Sequence, residues 1–415
     1  MSVSNDSDSC NPRSDEQRSL AFFGGGRWGS ILFEELFKQV SPSTNLVWVT
    51  RDANKKKEEW LRKTNHGNVE FIDAWQDRLV NCDGAIVATS VDRHYSLSRD
   101  LLSAAVPVLC EKPLAATRSQ IDHLRQIARE NQCPLGVHLE FAYLTSFDDF
   151  IEKTKAIEVE RIHVEWFDPE IEIRGGIEKR AEYQCDIISD QLPHVWSLIS
   201  RAISNGFEAR FDSLQYSPSK TTISGTIGAI SLEIQLSRRH SHRRRYISLN
   251  GGEATFDFCI EPPTATFRNS SLCLQASLMR PLQYTVSSFL AQVDAHKKFK
   301  SGLVSDDSAV GAGNGNRWAI TDWALSVENY YAFLLQCFGL SEQMAAIQDG
   351  VISQLLSGRN SLIEVDSALP EEHVQLVLDR WLPTGIASGA VYRPSSYDND
   401  CELALQIVRS LHKRS

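Results

Sequence analysis

The segment Gly24-Gly25-Gly26-Arg27-Trp28-Gly29 constrains this chain more than any other stretch, because of what flanks it. An apolar run, Leu20 to Phe23, reads as a buried strand immediately before it. After it, Ile31-Leu32-Phe33 and Leu36-Phe37 recur at helical spacing up to Val40. A Gly-x-Gly-x-x-Gly taken alone is also compatible with a flexible turn, but strand, glycines and helix in this order form a dinucleotide-binding element. Gly24 permits the tight turn, Gly26 lets the backbone approach a pyrophosphate, and Gly29 allows helix and strand to pack closely. Free amides at the helix start, here around Arg27 and Trp28, then face the phosphates.

The same grammar continues to about Glu140. Leu46 to Val49, Gly84 to Ala88, Pro107 to Cys110 and Pro134 to Val137 are short continuous apolar runs. Helical stretches lie between them, one ending over Arg99 to Ala105 and one striped by Ile121, Leu124 and Ile127. Apolar strands alternating with helices imply a parallel sheet covered on both faces. Beyond Ala142 the pattern changes. A helix over Ser146 to Ala156 precedes Ile157 to Trp166, which alternates at period two as a half-buried strand does. A helix near Asp190 to Ile203 is followed by β-rich segments at Phe211 to Tyr216, Thr221 to Leu236, Tyr246 to Asn250, Ala254 to Phe258 and Ala265 to Arg268. Helices return at Tyr284 to His296, Trp318 to Cys337 and Cys401 to Lys413, with a loop from Ser305 to Asn316.

The expected fold is α/β: an N-terminal Rossmann doubly wound parallel sheet, then a C-terminal α/β domain with a large, mostly antiparallel open sheet. The expected boundaries are a disordered tail at 1–18, a dinucleotide-binding domain at 19–140 and a substrate-binding and oligomerisation domain at 141–415, whose last helix can pack back on the first domain. Length permits this, since 415 residues suffice for two domains. A net charge of -10 argues against a nucleic-acid partner. No run reaches the roughly 18 to 20 apolar residues of a membrane helix, and the Ser/Asp/Asn-rich start is no secretory signal. Nine cysteines without a Cys-x-x-Cys pair suit a reducing, cytoplasmic setting and give no metal-site signal.

The residues after the second strand bear on which dinucleotide is bound. NAD enzymes place an acidic residue there for the ribose 2′-hydroxyl. Here Thr50 and Arg51 occupy the position, and a hydroxyl with a guanidinium suits a 2′-phosphate. Asp52, one residue later, reads as a helix cap. NADP(H) is therefore favoured over NAD(H).

Ala88-Thr89-Ser90 with His94, Val108 to Leu114 containing Glu111-Lys112-Pro113, and Asp190-Gln191-Leu192-Pro193-His194 together resemble the Gfo/Idh/MocA (glucose–fructose oxidoreductase / inositol dehydrogenase) family. That family has Ala-Thr-Pro and a His four residues on, Glu-Lys-Pro at the next strand end, and Asp-x-Gly-x-His on a helix of the second domain. Ser90 and Leu192 are the departures. The resemblance runs from Ser19 to about Phe258 plus the closing helix, and leaves residues 340–398 unplaced. It implies hydride transfer at a hydroxyl or carbonyl carbon of a sugar, polyol or sugar derivative, with Lys112, Asp190 and His194 as the catalytic set. It also implies cofactor contacts from Thr89, His94 and Glu111, and a homo-oligomer, dimer or tetramer, through the C-terminal sheet. Imine reduction and a non-catalytic NADP-binding scaffold are the alternatives.

Elementary chemistry of those residues is consistent with this. Lys112 stands at the carboxyl end of a parallel strand, where open α/β sheets bind ligands. Asp190 and His194 share a helix face at four-residue spacing, and a neutral imidazole suits proton exchange near neutrality. Which of Lys112 and His194 dominates proton transfer stays open. His138 and Glu140 replace an Asn and an Arg common in the family, pointing to a different substrate or, for Glu140, to a solvated strand end. Tyr143 and Trp166 could stack on a sugar, although core packing is the simpler role. The run Arg238 to Arg245 reads as a solvated hairpin tip, or as a clamp for a phosphorylated substrate.

Overall fold

A computed structural model describes residues 18–64, 69–73, 82–115, 118–174, 177–180, 187–203, 209–216, 220–275 and 279–301. The expected tail before residue 18, the helices Trp318 to Cys337 and Cys401 to Lys413, the loop between Ser305 and Asn316 and the segment 340–398 lie outside the described residues.

The apolar runs of the first part become β1 (Ser19–Phe23), β2 (Asn45–Val49), β3 (Val69–Ile72), β4 (Gly84–Val87), β5 (Val108–Glu111) and β6 (Leu135–His138). They form one parallel sheet in the order β3-β2-β1-β4-β5-β6, so the strand order reverses between β1 and β4. Ligands in such sheets bind at the carboxyl ends beside that reversal. Helices α1 (Arg27–Gln39), α2 (Ala53–Thr64), α3 (Val91–Ser103) and α4 (Arg118–Glu130) connect the strands. Alternation along each strand divides the core. Leu20, Phe22, Trp48 and Ile86 pack with Leu32, Phe33 and Leu36 of α1, while Ala21, Phe23, Ala85 and Val87 pack with Leu101, Leu102 and Leu124 on the other face.

A 3-10 turn (Glu140–Tyr143) and α5 (Thr145–Thr154) lead to β7 (Arg161–Pro169), a two-stranded hairpin β8 (Ile171–Arg174) and β9 (Ile177–Arg180), and α6 (Ile187–Ala202). Then follow β10 (Ala209–Tyr216), β11 (Lys220–Ile227), β12 (Ile230–His240), β13 (Arg244–Leu249), β14 (Ala254–Asp257), β15 (Thr264–Phe267) and β16 (Ser270–Leu272). The second sheet has eight strands in the order β10-β11-β12-β7-β13-β14-β15-β16. All its pairs are antiparallel except β12 with β7. The β-rich segment Thr221 to Leu236 is two strands, folded back at Gly228-Ala229.

The Arg238 to Arg245 run is not a hairpin tip. β12 and β13 do not pair; β7 lies between them, and Arg238 and Arg245 are buried. The last described helix, α7 (Pro281–Lys300), returns to the first domain instead of staying with the second. Val286, Phe289 and Val293 cover the β1/β4 face, and a methyl group on Gly84 would come within 2.4 Å of Val293. Among the described residues no helix is long and apolar enough to cross a membrane.

Candidate active site

The glycine turn is held from three sides. The Gly24 amide donates to the Val49 carbonyl (3.0 Å), and the Gly24 carbonyl accepts the Trp48 indole N–H at 2.6 Å. Trp48 is itself fixed by stacking on Phe33, with centroids 3.9 Å apart. Gly24 has φ +132°, and an added Cβ would lie 2.1 Å from the Ala88 carbonyl oxygen, so only glycine fits. At Gly26, which precedes α1, a Cβ would meet nothing within 4 Å, and no side chain caps the helix start. Space and uncapped amides at this point match what a pyrophosphate requires. Gly29 is the tightest of the following turn, with an added Cβ 3.4 Å from two carbonyl oxygens. Arg27 and Trp28 are exposed.

At the carboxyl ends of β2 and β3 opens a cleft of about 530 Å³, lined among others by Arg51, Asp52, Lys55, Phe71 and Asp73. Thr50 lies against the turn, its Oγ1 where a Gly25 side chain would otherwise be. Arg51 is exposed and lines this cleft.

The loops after β4 and β5 are joined from beneath by His94. It is the fourth residue of α3 and buried; Nδ1 faces the Pro113 carbonyl at 2.8 Å and Nε2 the Thr89 carbonyl at 3.1 Å. It therefore steadies the loops and is covered by them, while Thr89 is half-buried above and Ser90 exposed. Carbonyls only accept, so both ring nitrogens satisfy their partners only as imidazolium. Burial opposes that charge, but the Cys110 sulfur and the two carbonyls outweigh it and raise His94 to about 9. A pKa raised on folding from 6.5 contributes stability below pH 6.5 that is lost as pH rises through 9. The unfolding midpoint is expected to fall between pH 6.5 and 9, and less steeply in His94→Asn. An identical slope in the two proteins would remove this role.

Glu111, the last residue of β5, is buried. It pairs with His138 Nδ1 at 2.6 Å and accepts the Trp28 indole N–H and the Lys112 amide, the latter at 3.2 Å. Burial opposes its charge, yet His138 and Trp28 hold its carboxyl below the ordinary value; reciprocally, Glu111 overcomes burial and raises His138. His138 Nε2 is buried without a hydrogen-bond partner. Glu140, in the 3-10 turn, is not a solvated strand end: it is half-buried, and burial raises its pKa.

Lys112 stands one residue beyond β5, its peptide bond to Pro113 cis. Its ammonium donates to the Asp190 carbonyl at 2.9 Å and to Asp190 Oδ1. Asp190 is in the first turn of α6, so this pairing ties the strand ends of the first domain to the helix of the second. The other oxygen, Oδ2, accepts Arg238 Nη2 at 3.0 Å. Burial would raise Asp190; the two cations prevail and hold it far below the carboxylate range. One turn on, His194 stacks parallel to Trp166 (5.3 Å) and edge-on to Phe141 (5.1 Å). Burial first, and then the Lys112 charge, lower its pKa well below 6.5, so the ring is neutral. Its Nδ1 is buried without a hydrogen-bond partner.

Tyr143 and Trp166 are buried, so packing is their part. Trp166 packs between chemically informative neighbours, with the Arg245 guanidinium 4.0 Å above its ring. Arg245 and Arg243 both hold Asp168, which also accepts Gln191 of α6 at 3.0 Å. The burial of Arg238 contradicts the solvated tip expected for its run, although its parity carries the signal. Leu232, Ile234 and Leu236 face the core, and Arg238 is the next residue of that series.

Comparison with known proteins finds, over the first part of the chain, a match to the family that the motifs resemble. Residues 19–139 match the family model GFO_IDH_MocA, an oxidoreductase family with an NAD-binding Rossmann fold. The chain is 32% identical over 146 residues to a myo-inositol dehydrogenase, Hyg17, of Streptomyces leeuwenhoekii; the match spans 35% of this chain and 44% of that protein's length. Among solved structures, the fold is similar to KijD10, a 3-ketoreductase from Actinomadura kijaniata crystallised with TDP-benzene and NADP. The TM-score is 0.56 at 12% identity, covering 77% of this chain and 96% of that one. It is also similar to the UDP-N-acetylglucosamine 3-dehydrogenase GnnA from Acidithiobacillus ferrooxidans, with TM-score 0.55, 14% identity and coverage of 77% and 96%. At these identities the structural likeness concerns the fold.

Proposed function

Because residues 19–139 match the Gfo/Idh/MocA oxidoreductase family model, we propose that the chain is an NADP(H)-dependent oxidoreductase acting on a hydroxyl or carbonyl carbon of a sugar, polyol or sugar derivative. The observation that carries the reading is the meeting of Lys112 with Asp190 beside a neutral His194, drawn from two domains to one place. When bound, the dinucleotide supplies the hydride acceptor or donor. The glycine turn, Thr50, Arg51 and the Thr89 loop would hold it. Lys112 would hydrogen-bond the substrate oxygen and stabilise negative charge on it. His194, neutral with an unpartnered Nδ1, would take or return the hydroxyl proton. Asp190 orients the ammonium. His138 at the end of β6 and Glu140 in the 3-10 turn would contact the substrate.

Support for sugar-like substrates comes from the named relatives, an inositol dehydrogenase and two enzymes acting at the 3-position. The test is a cofactor-fluorescence screen of polyols, sugars and nucleotide-linked sugars in both directions. Tight cofactor binding without turnover across that panel would reject the reading in favour of a scaffold.

For the cofactor, the support is the absence of an acid at position 50 and the presence of Arg51 and Lys55 in the cleft. Charged hydrogen bonds contribute about 1.5–3 kcal/mol, so Arg51→Ser should raise KM for NADP(H) about tenfold or more and leave that for NAD(H) nearly unchanged. A wild-type preference for NAD(H) would overturn the assignment. We further propose a homo-oligomer formed through the open sheet, testable by light scattering.

A further inference from the structure

The Asp190 carboxylate is divided between two cations that come from different domains. Oδ1 takes the Lys112 ammonium from the end of β5; Oδ2 takes Arg238 Nη2, at 3.0 Å, from β12. The two cations differ in setting. The Arg238 side chain is 3% exposed, against 18% for Lys112 and 34% for Asp190. Arg238 stands where the pairing of β12 with β7 shifts register, between Ser237 and His240. It continues the core-facing series of Leu232, Ile234 and Leu236, and so points beneath α6. An arginine that buried is expensive unless its charge is used or fully paired.

Division of the carboxylate has a chemical consequence. With Asp190 to itself, Lys112 would hold its proton more tightly; a second cation on the other oxygen weakens that hold and repels the ammonium directly. We propose that Arg238 is a positioning residue whose charge loosens the proton on Lys112. The proposal rests on the reading of Lys112 as the group that hydrogen-bonds the substrate oxygen. Other charged groups act on the same pair: Glu111 on β5, His138 on β6, Glu140 in the 3-10 turn and His194 on α6, with Arg245 of β13 acting on His194 and Glu140. None of them is altered in the variants below.

The test measures Lys112 directly and needs no turnover. The full chain is acetylated with trace acetic anhydride across pH 6 to 11 (a range of about five units spanning the usual lysine pKa), and modification of Lys112 is read by mass spectrometry. In Arg238→Met the labelling midpoint is expected to rise by about one pH unit or more, so that Lys112 reacts about tenfold more slowly at a fixed pH below it. Arg238→Lys, which keeps the charge, should retain the wild-type midpoint to within about half a unit. Arg238→Gln carries the same expectation as Met and serves if the Met variant does not fold. A folded neutral variant with the wild-type labelling curve overturns the proposal. So does failure of both neutral variants to fold, since Arg238 would then be a structural residue. With a substrate from the screen, the basic limb of the kcat profile should move with the labelling midpoint, whereas a structural role would lower kcat uniformly with pH. A labelling shift in a protein that turns over nothing would instead reject the catalytic reading and leave the electrostatic one intact.

Discussion

Replacing Lys112 by Met is expected to lower kcat by about 10²- to 10³-fold, the range lost with one donor aimed at developing negative charge, while cofactor affinity stays at the wild-type level. Met keeps most of the length and apolar stem but removes the ammonium that bonds Asp190 Oδ1 and the Asp190 carbonyl. Asp190 does not become an unpaired buried charge, because Arg238 remains on Oδ2. Folding should therefore survive, and the loss can be ascribed to the reaction step. His194→Asn should also reduce kcat at least tenfold, since an amide cannot take up the proton. The double variant is expected to lose less than the product of the two, because groups that act as a unit are not additive. Single-turnover rates with cofactor titrations by fluorescence check this. Full activity in Lys112→Met would exclude Lys112 from the chemistry whatever the family pattern.

Gly24→Ala and Gly26→Ala should fail in opposite ways. At Gly24 the new methyl would lie 2.1 Å from the Ala88 carbonyl oxygen and 2.6 Å from its carbon, both backbone atoms at the end of β4 that cannot step aside. The φ of +132° adds a strain of about 1–3 kcal/mol for a non-glycine residue. The expected result is a protein that no longer folds stably, visible as a collapse of the thermal transition. At Gly26 the methyl meets no protein atom within 4 Å, so the apo-protein should melt as the wild type does. Cofactor affinity should nevertheless drop at least tenfold, because the methyl occupies space that the pyrophosphate needs. Wild-type affinity in Gly26→Ala would show that the phosphates bind elsewhere.

The Rossmann half was readable because its signals are local. Leu20 to Phe23, the glycines and the stripe through Leu32 and Leu36 are contiguous, and strands buried on both faces announce themselves as apolar runs. β3 was missed because Val69-Glu70-Phe71-Ile72 is short and carries a charge. In the second sheet most strands are legible, but β11 and β12 merge into one segment, β16 is not seen, and the order is not legible. Pairing of β12 with β7 and the insertion of β7 between β12 and β13 are long-range choices. That error carried over to the basic run: an assumed hairpin left Arg238 and Arg245 in water, whereas the real order buries them against Asp190 and Asp168.

Sequence by itself determined the elements that depend on backbone conformation and local period: a glycine turn only glycine can make, a parallel sheet around it, and a lysine, an aspartate and a histidine at spacings that chemistry can use. Tertiary structure alone decided their electrical state. Glu111 raises His138 against its burial, whereas burial and then Lys112 lower His194, although the two are the same side chain. Arg238 reaches Asp190 from 48 residues away. Coulomb interactions and desolvation depend on distance through space and on burial, and neither is written in the order of residues along the chain.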